Sequence, residues 1–475
     1  MFGQGGRFAL HPRASRCGRF ALHSRASRGL NSRAGFSTLG IHPMKFLADL
    51  HLHSKFSRAT SRDMTLDTMA AWAGVKGIRV LASADFTHPE WFFLIKEKLE
   101  PAGNGLFRLK SPQPPDDEQL RSVPAPPGGV LFVLSAELSF IYSKQGKVRK
   151  IHLVLLAPDF ESVEKINGRL HGLGANLRSD GRPIIGMDAR TFVRLVADLC
   201  PRCVVIPSHI WTPWFSVFGA NSGFDTIEEC FEEMTPFIFA LETGLSSDPP
   251  MNRRLSALDR YALVSNSDAH SPSKIGREAN AFDTDFSYKS LVEAVRSKDP
   301  ARFLYTVEFF PEEGKYHYDG HRKCGVVFSP RESLAHNDLC PVCGKKLTIG
   351  VAHRVEELAD REDIRDAGLR VPFKSLIPLN EIIGEATDKT ADCQSVWDTY
   401  FKFIREFGDE HRILTEVPIA DLCRLGPEKV GRGVDRVRKG LVKIVPGHDG
   451  EYGAIRLFDG DEDAGGPGPG QMSLF

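Results

Sequence analysis

The residues best able to do chemistry are histidines and carboxylates at short, regular spacing. Asp49-Leu-His51-Leu-His53-Ser54 closes a strand-like apolar run. In a strand, residues two apart face the same way, so His51 and His53 can grip one cation together. Comparable positions follow at Asp85 and His88, at Glu137, at His152, at His209, and at Asp268 and His270, each at the edge of a further strand-like run. These residue types are normally kept out of strand interiors, so their recurrence at strand ends points to a shared site. Such N and O donors suit two or three divalent ions, drawn from Zn, Mn, Mg or Fe. Clustered ions polarise a phosphoryl oxygen, acidify a bound water and stabilise both the attacking and the leaving oxygen of an in-line displacement. The chemistry expected is phosphoester hydrolysis.

The runs that must position these donors are Phe46 to Leu50, Val80 to Ser83, Val130 to Leu134, Ile151 to Leu156, Val204 to Pro207, Phe237 to Leu241 and Ala262 to Val264. Helical patterns such as Thr65 to Val75 and Asp188 to Leu199 separate them. That alternation predicts α/β layering about a parallel sheet, open or closed into a barrel. The carboxyl ends of its strands converge on one rim, where active sites of such folds lie. Cys200-Pro-Arg-Cys203 precedes a strand rather than a helix, so it reads as structural rather than as a thioredoxin-type redox pair.

A second ligand cluster follows the barrel-like region. His321-Arg-Lys-Cys324 and Cys340-Pro-Val-Cys343 supply four soft or borderline donors for a closed, tetrahedral structural zinc, with His317 and His336 competing for the place of His321. Beyond it, residues 353–445 carry mostly helical patterns, and Asp459 to Gly470 is an acidic Gly/Pro linker that cannot build a core.

Composition sets the outer limits. The 475 residues, 41% apolar and 26% charged, suit several globular domains and exclude a fibrous or wholly disordered chain. No apolar run approaches the roughly 20 residues of a membrane helix, so no membrane partner is expected. Overall charge is balanced at 61 basic and 61 acidic residues, but residues 1–43 hold seven Arg and no acid. With that leader set aside, 54 basic residues face 61 acidic ones, so contact with nucleic acid must come from local patches and metals. The leader repeats Gly6 to Arg16 at Gly18 to Arg28, and reads either as a disordered basic arm or as sequence upstream of a true start at Met44. Nine cysteines, an odd number and partly at ligand spacing, fit a reducing cytoplasm.

In order and position, Asp49-Leu-His51-Leu-His53, Glu137, His152, His209 and Ser267-Asp268-Ala-His270 resemble the motifs of the polymerase-and-histidinol-phosphatase superfamily. The resemblance implies a distorted barrel of seven β/α units with a trinuclear centre. His51, His53, Glu137 and Asp268 would hold one ion, and Glu137 would bridge to a second on His152 and His209. Asp85 or His88 with His270 would complete a third. One departure is plain: the superfamily's second motif is Asp followed directly by His, whereas Phe86 follows Asp85 here.

The cysteine module, His353-Arg-Val-Glu-Glu-Leu-Ala-Asp and Pro372-Phe-Lys-Ser-Leu-Ile-Pro-Leu-Asn-Glu-Ile-Ile-Gly-Glu385 extend the likeness to the endonuclease Q family. That resemblance implies cleavage of double-stranded DNA on the 5′ side of uracil, hypoxanthine, xanthine or an abasic site. The expected organisation is a leader over 1–43, a catalytic barrel over 44–308, a zinc module over 309–352, a helical DNA-binding region over 353–455 and a flexible tail over 456–475. Trp211, Trp214 and Phe215 follow His209 and offer aromatic faces to an extruded base. Lys147 and Arg149, with Arg436 and Arg438, offer charge to phosphates, the competing reading of each group being loop packing or a solvated face. The terminal Gln471-Met-Ser-Leu-Phe475 is similar to the bacterial sliding-clamp-binding peptide, with Leu474 and Phe475 as its apolar anchor.

Three functions compete: a metal-dependent repair endonuclease, a phosphatase for a small phosphomonoester such as histidinol phosphate, and a non-catalytic clamp-associated adaptor. The zinc module and tail count against the second, and the near-complete donor set against the third. A phosphate loop of the GxxxxGK[ST] form is missing from the sequence, which argues against a nucleotide-driven motor.

Overall fold

Strand β1 (Met44–Asp49) is buried from Phe46 onward, as a strand covered on both faces must be. It belongs to a computed structural model that describes residues 44–362, 364 and 370–458. The leader and the clamp-like peptide with Gln471, Leu474 and Phe475 lie outside the described residues.

Further strands follow as β2 (Ile78–Ala82), β3 (Leu99–Gly103), β4 (Leu106–Leu109), β5 (Leu131–Lys144), β6 (Lys147–Ala157), β7 (Ile184–Ile185) and β8 (Val204–Pro207). The barrel region continues with β9 (Ala240–Glu242), β10 (Ala262–Val264), β11 (Ala279–Thr284) and β12 (Phe303–Glu308). β1, β2 and β5 run parallel, as do β9 and β10. The remaining long pairings, β1 with β11, β11 with β12, β5 with β6 and β6 with β8, are antiparallel. The protein is therefore the expected α/β fold with a mixed rather than parallel sheet.

The cause is legible at the β5–β6 junction. Only Gln145 and Gly146 join the two strands, far too short for a crossover, and both take positive φ of 53° and 73° as a tight hairpin requires. Reversal of β6 has a functional consequence. Its central residue His152 pairs with Ser139 of β5, which brings the imidazole beside Glu137 at the middle of that neighbouring strand.

Side chains sort by strand parity into two cores. Phe46, Ala48, Val80, Val133, Val154 and Ile206 pack in one. Their alternates Leu47, Leu81, Phe132, Leu155 and Val205 pack in the other, which continues without a break into Val396, Tyr400 and Phe403 of the C-terminal helices. A buried ion pair ties the two regions. Lys76, at the end of helix Leu66–Lys76, pairs with Glu410 of helix Glu410–Thr415. Glu410 also accepts from Tyr400 Oη at 2.6 Å and from the Leu379 N–H at 2.9 Å. Burial alone would raise this carboxyl, but the Lys76 charge and these hydrogen bonds hold it below its ordinary value.

Lys76→Met strands the carboxylate and is expected to cost about 3–5 kcal/mol in urea unfolding at neutral pH. Because folding lowers the carboxyl's pKa, the pair contributes fully at neutral pH and is lost as pH falls through the folded value. The difference between wild type and variant should therefore narrow in acid.

Candidate metal centre

At the rim, four imidazoles close on Glu137. His51 Nε2 lies 3.6 Å and His53 Nε2 3.4 Å from its two oxygens, while His152 Nδ1 and His209 Nε2 lie 3.0 Å and 3.2 Å from Oε1. Asp268 Oδ1 stands 3.0 Å from His53 Nε2 and 3.7 Å from His51 Nε2. Two donor groups result, His51 with His53 and Asp268, and Glu137 with His152 and His209, the donor atoms of each lying within 4.8 Å of one another. In the first group His51 Nε2 is buried without a hydrogen-bond partner, and His53 Nε2 and Asp268 Oδ1 face each other at 3.0 Å without hydrogen-bond geometry. Burying such atoms unpaired costs about 1–3 kcal/mol each, a cost that a shared cation removes. The donor set therefore fits divalent metal.

The backbone is bent to reach this arrangement. Asp85, His209 and Asp268 adopt left-handed φ of 41°, 31° and 47°, conformations that non-glycine residues avoid unless their surroundings hold them. The His209 N–H donates to Glu242 Oε2 at 2.9 Å, and the Asp268 N–H to the His51 carbonyl at 3.0 Å.

Glu242, the last residue of β9, was not singled out from the sequence. Its oxygens lie 3.0 and 3.1 Å from His51 Nδ1 and accept from Asn266 Nδ2 at 2.8 Å. A carboxylate there keeps the proton on Nδ1 and turns the Nε2 lone pair toward the cluster. Extending the Phe237 to Leu241 run by one residue and applying the same strand-end rule would have found it. Ser139, whose Oγ lies 3.1 Å from His152 Nε2, has no comparable signal.

Asp85 serves His53 in the same way. Oδ1 sits 3.3 Å from His53 Nδ1, and Oδ2 accepts from the Ser54 N–H, Ser54 Oγ and Ser57 Oγ at 2.7, 2.6 and 2.8 Å. His88 caps helix Pro89–Lys98, accepting from the Trp91 N–H at 3.4 Å, and stacks on Phe56 at 4.4 Å. His270 borders the cluster, its ring 4.4 Å from that of His53 and its Nδ1 bonded to the Asp268 carbonyl at 2.8 Å. Asp85, His88 and His270 thus do not gather as a third donor group.

The charges explain the protonation states. Burial would raise Glu137, but the neighbouring His152, His51 and Arg182 hold it well below the carboxylate range. Burial pushes His152 down to about 4, leaving it neutral at pH 7, the form that binds a cation.

In the cysteine module, β13 (Asp319–His321) and β14 (Val326–Phe328) form a small hairpin that brings His321, Cys324, Cys340 and Cys343 within 4.8 Å of one another. His321 Nδ1 is 3.6 Å from Cys343 Sγ, whereas His336 bonds the Glu332 carbonyl at 2.9 Å and stacks on Phe328. His317 is buried outside this group. Cys200 and Cys203 are unbridged.

The residues expected to touch DNA divide by burial. Trp214 is 47% exposed, Lys147 sits exposed at the hairpin turn, and Phe215 lies half-buried with its ring 4.6 Å from that of His152. Trp211 is instead in the core, donating to Asn252 Oδ1 at 2.9 Å and stacked on Phe218, so it presents no face to a base. Arg149 is buried over the Phe224 ring and donates to the Gly223 carbonyl, and Arg438 closes the Ile413, Leu414 and Val417 carbonyls at 2.8 Å. Both are spent on folding rather than offered to phosphates. Arg436 is half-buried on the same helix.

Glu242→Ala frees the His51 ring and should weaken barrel metal binding about 10–100-fold in chelator competition. Cys340→Ser should release one equivalent of metal on elemental analysis and leave the barrel's content unchanged.

Residues 378–441 match the MJ0043 C-terminal domain family. The chain is similar to the Methanocaldococcus jannaschii protein MJ0043, 34% identical over 258 residues, which cover 52% of this chain and 31% of that relative. The chain thus spans about a third of that relative's length. The Bacillus subtilis protein YqxK is 28% identical across 87% of this chain and 99% of its own. Among solved structures, the lesion-specific endonuclease of Pyrococcus furiosus superposes with a TM-score of 0.75 at 28% identity, covering 88% of this chain and 96% of that one. An endonuclease Q bound to a 27-mer duplex with an abasic lesion at its active site gives 0.73 at 28% identity, over 87% and 96% of the two chains. The solved structural neighbours of this chain are thus endonuclease Q enzymes, the likeness running through barrel, cysteine module and helical region alike.

Proposed function

We propose that the protein is a metal-dependent repair endonuclease of the cytoplasm, hydrolysing the phosphodiester 5′ of deaminated bases (uracil, hypoxanthine, xanthine) or of abasic sites in double-stranded DNA. The observation that carries this reading is the convergence of buried donors from His51, His53 and Asp268 beside the shared carboxylate Glu137. The related enzyme captured on abasic duplex supports DNA as the substrate class.

In this reading His51, His53, Glu137 and Asp268 hold one ion, and Glu137, His152 and His209 a second. Bound ions would polarise the scissile phosphate and lower the pKa of a water. The chain's own part is positioning. Glu242 and Asp85 lock the rings of His51 and His53, and Asp268, a quarter exposed, marks the side from which a phosphate reaches the donors. Phe215, its ring 4.6 Å from that of His152, and the exposed Trp214 beside it in sequence offer stacking surfaces, and Lys147 lies exposed at the turn of the β5–β6 hairpin. His321, Cys324, Cys340 and Cys343 hold a structural zinc, a closed set with no position left for substrate. The peptide Gln471 to Phe475 gives the enzyme a second partner, the sliding clamp.

On end-labelled duplexes with one uracil, hypoxanthine or abasic site, the metal-loaded protein should nick just 5′ of the lesion and spare the undamaged control. Asp268→Ala should not nick. Intact duplexes together with hydrolysis of a simple phosphomonoester would instead establish a phosphatase.

A further inference from the structure

The donors that would complete a third cation site are committed elsewhere, and the space beside them is taken by a loop. Gly181 lies directly against Asp85: its N–H donates to the Phe56 carbonyl at 3.0 Å, and a Cβ there would come within 2.3 Å of both Asp85 Oδ2 and Ser57 Oγ. Thr87 Oγ1 reaches the Gly181 carbonyl at 3.4 Å. Asp180 fixes the loop further, its Oδ1 accepting from the Arg58 and Arg182 N–H groups at 3.3 and 3.1 Å. The next residue carries a permanent positive charge into the centre: Arg182 Nη1 donates to Glu137 Oε2 at 3.0 Å.

Arg182 also stands where substrate must arrive. His51, His53 and Glu137 are at most 1% exposed, whereas Asp268, Arg182 and His270 are 25%, 26% and 31% exposed and form the open lip. Among the described residues, Glu137 is the acceptor that engages the guanidinium, through one of its five N–H donors. The planar fork matches two oxygens of a phosphate and cannot lose its charge at any working pH.

Resting on the phosphodiesterase reading above, we propose that Arg182 takes the place of a third ion. The barrel holds two cations, and the Arg182 guanidinium binds a non-bridging oxygen of the scissile phosphate. Glu137 then has two tasks, bridging the cations and holding the guanidinium at the lip. A fixed donor aimed at charge that grows in the transition state acts mainly on kcat.

Elemental analysis of the metal-loaded wild type should find three equivalents per chain, two in the barrel and one in the cysteine module, and Arg182→Met should keep all three and its melting temperature. Inorganic phosphate should raise the melting temperature of the metal-loaded wild type and raise that of Arg182→Met by clearly less. On abasic duplex Arg182→Met should lose about 100-fold in kcat with KM little changed, and Arg182→Lys should recover part of the loss. A fourth metal equivalent, wild-type kcat in Arg182→Met, loss of metal from that variant, or an undiminished phosphate shift would each overturn the proposal. Should the wild type nick no lesion duplex, the phosphodiesterase reading fails by itself, while metal content and the phosphate shift still decide the role of Arg182.

Discussion

Everything in this molecule that bears on chemistry is arranged around one buried carboxylate. Glu137 is fully enclosed, yet it stays ionised because His51, His53, His152, His209 and Arg182 all lie within 3.6 Å of its oxygens. A lone carboxylate in such a place would take up a proton, and the imidazoles without it would repel one another once charged. The requirement propagates outward. β5 must carry Glu137 at its middle, β6 must turn back at once to deliver His152, and β1 must end where two rings can face inward.

Behind the ligands stands a second set of acids that never reach the centre. Glu242 and Asp85 each place one or both oxygens on a histidine and also accept from backbone, amide or hydroxyl donors. Left-handed backbone at His209, Asp268 and Asp85 shows that the chain is bent to the site and not the reverse. Local strain of this kind is affordable only where several hydrogen bonds over-determine it.

Much of this was legible in the sequence, because acids and imidazoles at strand ends break a pattern that apolar residues otherwise enforce. The α/β layering and the zinc-type spacing of Cys340 and Cys343 were equally open to reading. What escaped was direction and commitment. Asp85 and Glu137 each follow an apolar run in the sequence, but β5 continues through Glu137 to Lys144, and only the contacts show that Ser54 and Ser57 have claimed Asp85. Trp211 and Trp214 share one short turn, and which of them faces inward depends on Asn252, far along the chain. Arg182 lies 45 residues from its partner on an irregular loop, where no periodicity announces it. The antiparallel return of β6 could have been inferred from the Gln145-Gly146 turn, but the apolar run alone carries no polarity.

The apolar core that passes unbroken from the barrel into the C-terminal helices, pinned by Lys76 and Glu410, ties the two regions into one packed body. Barrel rim and helical end keep one spacing, because closing or opening it would tear packed side chains and strand two charges. A stiff duplex spanning both surfaces would have to supply the deformation itself. DNA resists smooth bending over about 150 base pairs but yields readily where stacking is already broken. A rigid gauge of this kind would sort duplexes by how easily they kink before any base is read.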